Sequence, residues 1–233
     1  LSNPDVSSIY EVPVILDQQK AGELIIDLLG LPARKRDLTA WKKFVRNMKG
    51  LTKEVTIGVV GKYFSTGKFE LSDSYVSVIE SLKHGAWGNK VKINMTWVDA
   101  QKIEELGART VLGGLDGIVV PGGYGSRGTE GMISAIRYAR EKNVPYLGLC
   151  YGMQMATIEF ARNVAKLKNA NTTEVDAKTK HAVVHVMPDQ EKKMLNREYG
   201  ATMRLGAWDC VLVRGTHAEK AYVDGGWIKR TGK

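Results

Sequence analysis

The chain has 233 residues, 43% hydrophobic and 25% charged, and its 34 Lys and Arg against 25 Asp and Glu give a formal charge of +9. That length suits one sizeable α/β domain with its own core, and the composition is that of a soluble globular protein. The longest apolar runs, residues 117–120 and 146–150, are far too short to span a bilayer. The start, Leu1-Ser2-Asn3-Pro4-Asp5, has neither the basic residues nor the apolar stretch of a secretion signal. It also lacks an initiator Met, so the expectation is a piece of a longer protein.

Two cysteines, Cys150 and Cys210, argue against a disulfide scaffold and for a reducing, cytoplasmic setting. The basic residues are spread along the chain. No run of five and no recognition-helix or RNA-binding signature appears, so neither nucleic acid nor membrane is expected as a partner. A basic surface suits an anionic small ligand or an acidic partner domain.

In chain order, residues 1–17 read as a tail. Residues 9–16 are apolar and strand-like, and Pro13 among them cannot donate to a ladder, which places them at an edge or in a loop. Residues 21–29 make a short apolar helix closed by Gly30 and Pro32. A second helix restarts at Asp37-Leu38-Thr39 with an N-cap-like residue and runs to Met48. This part has little core of its own: residues 1–17 are expected to end a preceding domain and residues 18–52 to be a linker.

From Lys53 the pattern changes to that of one domain, residues 53–233. Residues 55–60 form a buried strand. Ser72-Asp73 caps a helix through Lys83 that Gly85 ends. Residues 91–98 alternate as a strand, 100–106 make a short helix, and 117–120 make a second buried strand. Residues 129–142 are helical, 144–149 are a strand, and 153–164 are helical again. Strands are expected at 182–187 and 209–213. Strands alternating with helices of this length predict a mostly parallel sheet covered on both faces.

Gly148-Leu149-Cys150-Tyr151-Gly152 stands between a buried strand and a helix. This is a G-x-nucleophile-x-G elbow with Cys in place of Ser. The turn is tight, so the flanking positions must be nearly free of side chains, and Gly148 and Gly152 supply that. The helix after Cys150 presents its N-terminal N–H groups and dipole to the sulfur, whose anionic form is the attacking species. A small buried Cys at the end of a core strand is the plainer reading. The flanking glycines and a second Gly-rich turn favour the nucleophile. That turn, Pro121-Gly122-Gly123-Tyr124-Gly125, also follows a buried strand. The N–H groups of Gly123 and Tyr151 are natural donors to the oxyanion of an acyl transfer. A phosphate loop is disfavoured: no Walker pattern is present, and Gly58-Val59-Val60-Gly61-Lys62 lacks the required spacing.

These two motifs, extended to Met153-Gln154, resemble the class I (triad) glutamine amidotransferases. Further stretches are similar to the CTP synthase family: Ser8-Ile9-Tyr10-Glu11-Val12-Pro13, Val59-Val60-Gly61-Lys62-Tyr63, the run from Gly125 to Met132, Asn169-Ala170-Asn171-Thr172-Thr173-Glu174, and Thr202-Met203-Arg204-Leu205-Gly206. The resemblance implies a flavodoxin-like fold and a glutaminase domain that supplies ammonia for ATP-dependent amination of UTP to CTP. It implies Cys150 as nucleophile, Gly123 and Tyr151 at the oxyanion, and L-glutamine held by Gly123, Tyr151, Gly152, Met153, Gln154 and Glu174. By itself Glu174 reads as a solvated loop residue. No metal or cofactor is implied in this domain; ATP and Mg belong to the synthetase domain. GTP is implied as an activator near residues 127–132, and a homotetramer for the full-length protein.

The family completes its triad with His-x-Glu in Pro-rich surroundings, and no such segment is found. His217-Ala218-Glu219 has the spacing, but neither its surroundings nor its place along the chain resembles the family segment. His84 reads as a helix cap and His185 as a strand residue. The expectation is that the triad His and Glu lie beyond Lys233. The competing readings are a non-catalytic module that binds glutamine or a partner, and another elbow-cysteine protein such as the amidotransferase of GMP synthetase or a cysteine-peptidase-like hydrolase.

Overall fold

The structure, a computed structural model, describes residues 1–33, 35–62, 75–187 and 209–226. The Ser72-Asp73 cap and the 202–206 motif lie outside them. The chain divides into two units, Leu1–His185 and Val186–Lys233.

In the first unit a 3-10 turn, Ile9–Glu11, leads into helices α1 (Val12–Gln18), α2 (Ala21–Leu28) and α3 (Thr39–Lys49). The strand-like reading of residues 9–16 is corrected here, because Pro13 stands in the first turn of α1, where its missing N–H has no intrahelical partner to lose. Tyr10 anchors the segment. Its ring packs among Trp41, Phe44, His84 and Trp87, and its backbone oxygen accepts from Trp41 Nε1 at 2.9 Å.

Four parallel strands, β1 (Glu54–Gly61), β2 (Lys92–Asp99), β3 (Gly117–Val120) and β4 (Tyr146–Gly148), form a sheet in the order β2-β1-β3-β4. The helices between them are α4 (Val76–Gly88), α5 (Ala100–Leu106), α6 (Ala108–Leu112) and α7 (Thr129–Lys142), and α8 (Tyr151–Asn163) follows β4. Alternation along β1 serves both faces. Val60 joins Ile103, Ile118, Val120, Met132, Met155 and Ile158 in the main core, while Val59 turns to Val78, Ile79 and Leu82 of α4. Each fully buried aliphatic side chain of this kind contributes about 1.5–3 kcal/mol. The parallel sheet with helices on both faces is as expected.

Local boundaries moved. Helix α4 runs through Gly85 to Gly88, because the stop comes from Asn89, whose side chain donates to the Gly85 carbonyl at 2.8 Å, and from Lys90 at φ 59°. A short parallel pair, β5 (Asn171–Thr172) and β6 (Ala182–Val184), completes the first unit. His185 therefore follows a strand instead of lying within one. In the second unit residues 209–213 form no strand, and α9 spans His217–Asp224.

The order 2-1-3-4 reverses direction on either side of β1. In open parallel sheets such a reversal opens a crevice beyond the carboxyl ends of the strands. Lys62, Pro121-Gly122-Gly123 and Cys150 all stand at those ends.

Candidate active site

Cys150 is the N-cap residue of α8, with φ 50° and ψ −103°, and it is exposed. Non-glycine backbone in such a region costs about 1–3 kcal/mol and persists only where its surroundings enforce it. Here the Leu149 N–H donates to the Val120 carbonyl at 2.9 Å, and the Gly152 N–H to the Leu149 carbonyl at 2.9 Å. The hydroxyl of the half-buried Tyr146 donates to the Gly152 carbonyl at 2.8 Å. The glycines of the elbow are sterically required. A Cβ on Gly152 would lie 2.1 Å from the Val120 oxygen, and one on Gly148 2.7 Å from the Gly152 carbonyl carbon.

The 121–125 turn lies against this elbow. A Cβ on Gly122 would sit 3.6 Å from Cys150 Cβ, and one on Gly123 3.9 Å from Tyr151 Cδ1. Among the described residues no acceptor meets the Gly123 N–H. Gly125, at φ +78°, accepts at its carbonyl from Tyr151 Oη at 2.6 Å and Lys62 Nζ at 2.5 Å. Its N–H donates to Glu174 Oε1 at 2.7 Å. Lys62 is 5% exposed, donates also to the Tyr124 carbonyl at 2.9 Å, and stands 4.3 Å from the centre of the Tyr151 ring. Burial pushes its ammonium pKa down; Glu174 opposes that and Arg127 adds to it. Thr129 Oγ1 donates to the Ser126 carbonyl at 2.7 Å and ties the loop to the start of α7.

The structure thus brings Cys150, Gly123, Tyr151, Gly152 and, through Gly125, Glu174 to one place. Gln154 stands in the first turn of α8 with its buried Oε1 unpartnered among the described residues. Such an orphan costs about 1–3 kcal/mol unless a ligand supplies a donor. The Met153 side chain is 54% exposed. Sequence reasoning assigned no role to Lys62, to Thr129 or to the hydroxyls of Tyr146 and Tyr151. The one available signal was a lysine directly after an apolar strand run.

His84 and His217 both stand on helices. His84 lies inside α4, not at its cap, with Nε2 2.6 Å from the Tyr10 hydroxyl. In the second unit His217 opens α9, where Thr216 Oγ1 accepts from the Glu219 N–H at 3.2 Å and Glu219 Oε2 accepts from the Gly215 N–H at 2.8 Å. Among the described residues no group of three His, Cys, Asp or Glu could hold a metal ion, and no helix is long and apolar enough to cross a membrane.

The signature of the class-I glutamine amidotransferases matches residues 70–220. CTP synthase of Caldanaerobacter subterraneus subsp. tengcongensis is 47% identical over 224 residues, 96% of this chain and 40% of that protein. CTP synthase of Thermococcus gammatolerans is 45% identical over 222 residues, 95% of this chain and 40% of that protein. The chain therefore spans about two-fifths of the length of the curated relatives it matches. A solved Trypanosoma brucei CTPS glutaminase domain with bound acivicin superposes with a TM-score of 0.53 at 38% identity, covering 60% of this chain and 53% of that one. Elbow, crevice and signature agree, and the chain belongs to the class-I glutamine amidotransferase family.

Proposed function

We propose that this chain is the glutaminase part of a CTP synthase. The Cys150 sulfur attacks the side-chain amide carbon of L-glutamine, and the negative charge that develops on the amide oxygen is met by the Gly123 and Tyr151 N–H groups. Collapse of the tetrahedral adduct breaks the C–N bond: the leaving amide nitrogen takes up the proton given up by the thiol and departs as ammonia, and a γ-glutamyl thioester remains on Cys150. Water then releases glutamate and restores the thiol. Gly152, Met153, Gln154 and Glu174 hold the substrate, with Glu174 on its α-ammonium.

The observation that carries this reading is the strained, exposed Cys150 at the start of α8, packed against Gly122 and beside a Gly123 N–H that no described acceptor meets. The similarity to CTP synthases supports the remainder of the proposal. Ammonia passes to a synthetase domain where ATP and Mg serve the amination of UTP, GTP acts as an activator near residues 127–132, and the full-length protein is a cytoplasmic homotetramer. Residues 1–17 close that synthetase domain, 18–52 link, and 53–233 form the amidotransferase domain. His217 and Glu219 are not the triad pair in this reading, because Glu219 already caps its own helix.

Acivicin, the molecule bound in the related structure, provides the test. Mass spectrometry of the full-length protein should find one adduct at Cys150, and Cys150→Ser should abolish both adduct and ammonia release. A folded wild-type protein that neither labels nor releases ammonia would leave only a binding module.

A further inference from the structure

The peptide between Tyr124 and Gly125 is held at both of its ends. Its carbonyl accepts from Lys62 Nζ at 2.9 Å and its N–H donates to Glu174 Oε1 at 2.7 Å. A trans peptide is planar, with C=O and N–H pointing in opposite directions, so two such contacts fix the orientation of the plane. The same ammonium takes the next carbonyl, that of Gly125, at 2.5 Å. Three of the five residues 121–125 are glycine, and glycine backbone turns over freely unless something holds it. Lysine is almost never this buried unless it is paired. Here its neighbours are two loop carbonyls and the face of the Tyr151 ring.

We infer that Lys62 is a positioning residue: together with Glu174 it clasps the Tyr124–Gly125 peptide and so holds the Gly122–Gly123 segment with its N–H groups toward Cys150. The inference rests on the proposed role of Gly123 as an oxyanion donor. It gives Glu174 two tasks, since the carboxylate proposed to meet the substrate ammonium is also one jaw of the clasp. The loop is then in its working orientation before substrate arrives. Loss of Lys62 leaves the thiol and the glutamine contacts in place but lets the oxyanion donor wander.

The test is steady-state glutaminase kinetics of the full-length protein carrying Lys62→Met, Lys62→Arg or Tyr151→Phe, read beside acivicin labelling. Removal of an oxyanion donor outright costs about 100- to 1000-fold in kcat, so its misplacement in Lys62→Met should cost about 10- to 100-fold. KM for glutamine should change less than about threefold, and Cys150 should still label fully. Lys62→Arg, which keeps a charged donor, should recover to within about tenfold of wild type. Tyr151→Phe removes the second donor to the Gly125 carbonyl and keeps the Tyr151 N–H. It should show a smaller loss confined to kcat, and with Lys62→Arg it carries the test if Lys62→Met does not fold. An unaltered kcat, or a loss expressed in KM alone, overturns the clasp. A wild-type protein that forms no adduct overturns the function proposed above instead.

Discussion

Replacing Gly152 by alanine places a methyl carbon 2.1 Å from the Val120 oxygen and 2.9 Å from the Val120 carbonyl carbon. Comfortable contact needs about 3.5 Å, so α8 and β3 must separate by roughly 1.4 Å. The obstacle is backbone, which cannot rotate aside. The same Val120 oxygen accepts from the Leu149 N–H at 2.9 Å, and that bond would stretch or break as the helix moves. Overpacking costs about 1–3 kcal/mol, and leaving a buried carbonyl unpaired costs about 1–3 kcal/mol more. The expected loss for Gly152→Ala is therefore roughly 2–6 kcal/mol, which at about 2–4 °C per kcal/mol for a chain of this size is a fall of roughly 4–24 °C in Tm. Ammonia release should fall about 100-fold even where the protein remains folded, since a displacement of about 1 Å or more carries the thiol away from the proposed oxyanion donors. Gly85→Ala is the control. This glycine lies inside α4 with nothing within 4 Å of a new Cβ, so the same substitution should stabilise by about 0.5–1 kcal/mol. Urea unfolding and thermal melting of both variants decide the matter. A loss below about 1 kcal/mol at Gly152 would refute the steric account of the elbow.

Three further outcomes are expected. The Tyr146 hydroxyl, whose pKa burial pushes above its ordinary range, donates to the Gly152 carbonyl only while protonated. A folded value above the unfolded one means stabilisation that is full below about pH 10 and lost as pH rises, so Tyr146→Phe should cost about 1 kcal/mol at neutral pH and flatten the alkaline limb of urea midpoints. Glu159 is 1% exposed and takes a forked contact from Arg140, which is 36% exposed. Arg140→Met should cost roughly 2–4 kcal/mol, solvent screening discounted, and Arg140→Met with Glu159→Leu should recover most of it in a double-mutant cycle. The carboxyl of Asp17 is held below its ordinary pKa by its hydrogen bond to Lys42, with Arg36 adding to the effect. Its stabilisation is present above pH 3.8 and lost as pH falls through the lower folded value, so limited proteolysis of the α1–α3 segment should accelerate in acid for the wild type and show a weaker pH dependence for Asp17→Asn.

How much of this was legible beforehand follows from the range of the interactions. The strands β1, β2 and β3 and helix α7 each announce themselves over a few residues, by apolar runs and by helical spacing, and they stand where the periodicity puts them. The elbow is legible for the same reason: Gly148, Cys150 and Gly152 are neighbours in sequence, and the clash that demands glycine is set by the one turn they share. The misread segments are those where one local signal serves two structures. Pro13 ends a strand pattern as readily as it opens a helix, and only the Tyr10 aromatic cluster, assembled from residues up to 77 positions apart, decides for helix. Gly85 is a permitted helix residue as well as a stop. Lys62 reaches carbonyls 62 and 63 residues along the chain, and Glu174 reaches Gly125 across 49. No spacing rule extends that far, so that part of the site emerges only when the sheet is assembled.

The segment His217-Ala218-Glu219 shows why a spacing acquires meaning only with its local conformation. On a strand, residues i and i+2 share a face, so a His-x-Glu pair can point one carboxylate at one imidazole. On a helix the same two residues lie on different sides and do not face each other. His217 and Glu219 are the first and third residues of α9, with Thr216 as the cap. The two bonds there, Glu219 N–H to Thr216 Oγ1 and Gly215 N–H to Glu219 Oε2, form a variant of the reciprocal capping box in which the carboxylate serves the N–H one residue before the cap. A Thr followed three residues later by Glu is the sequence signature of that box, and it was present in Thr216 and Glu219 from the start. The catalytic spacing and the capping spacing overlap on one glutamate, and in this structure Glu219 makes the capping bonds.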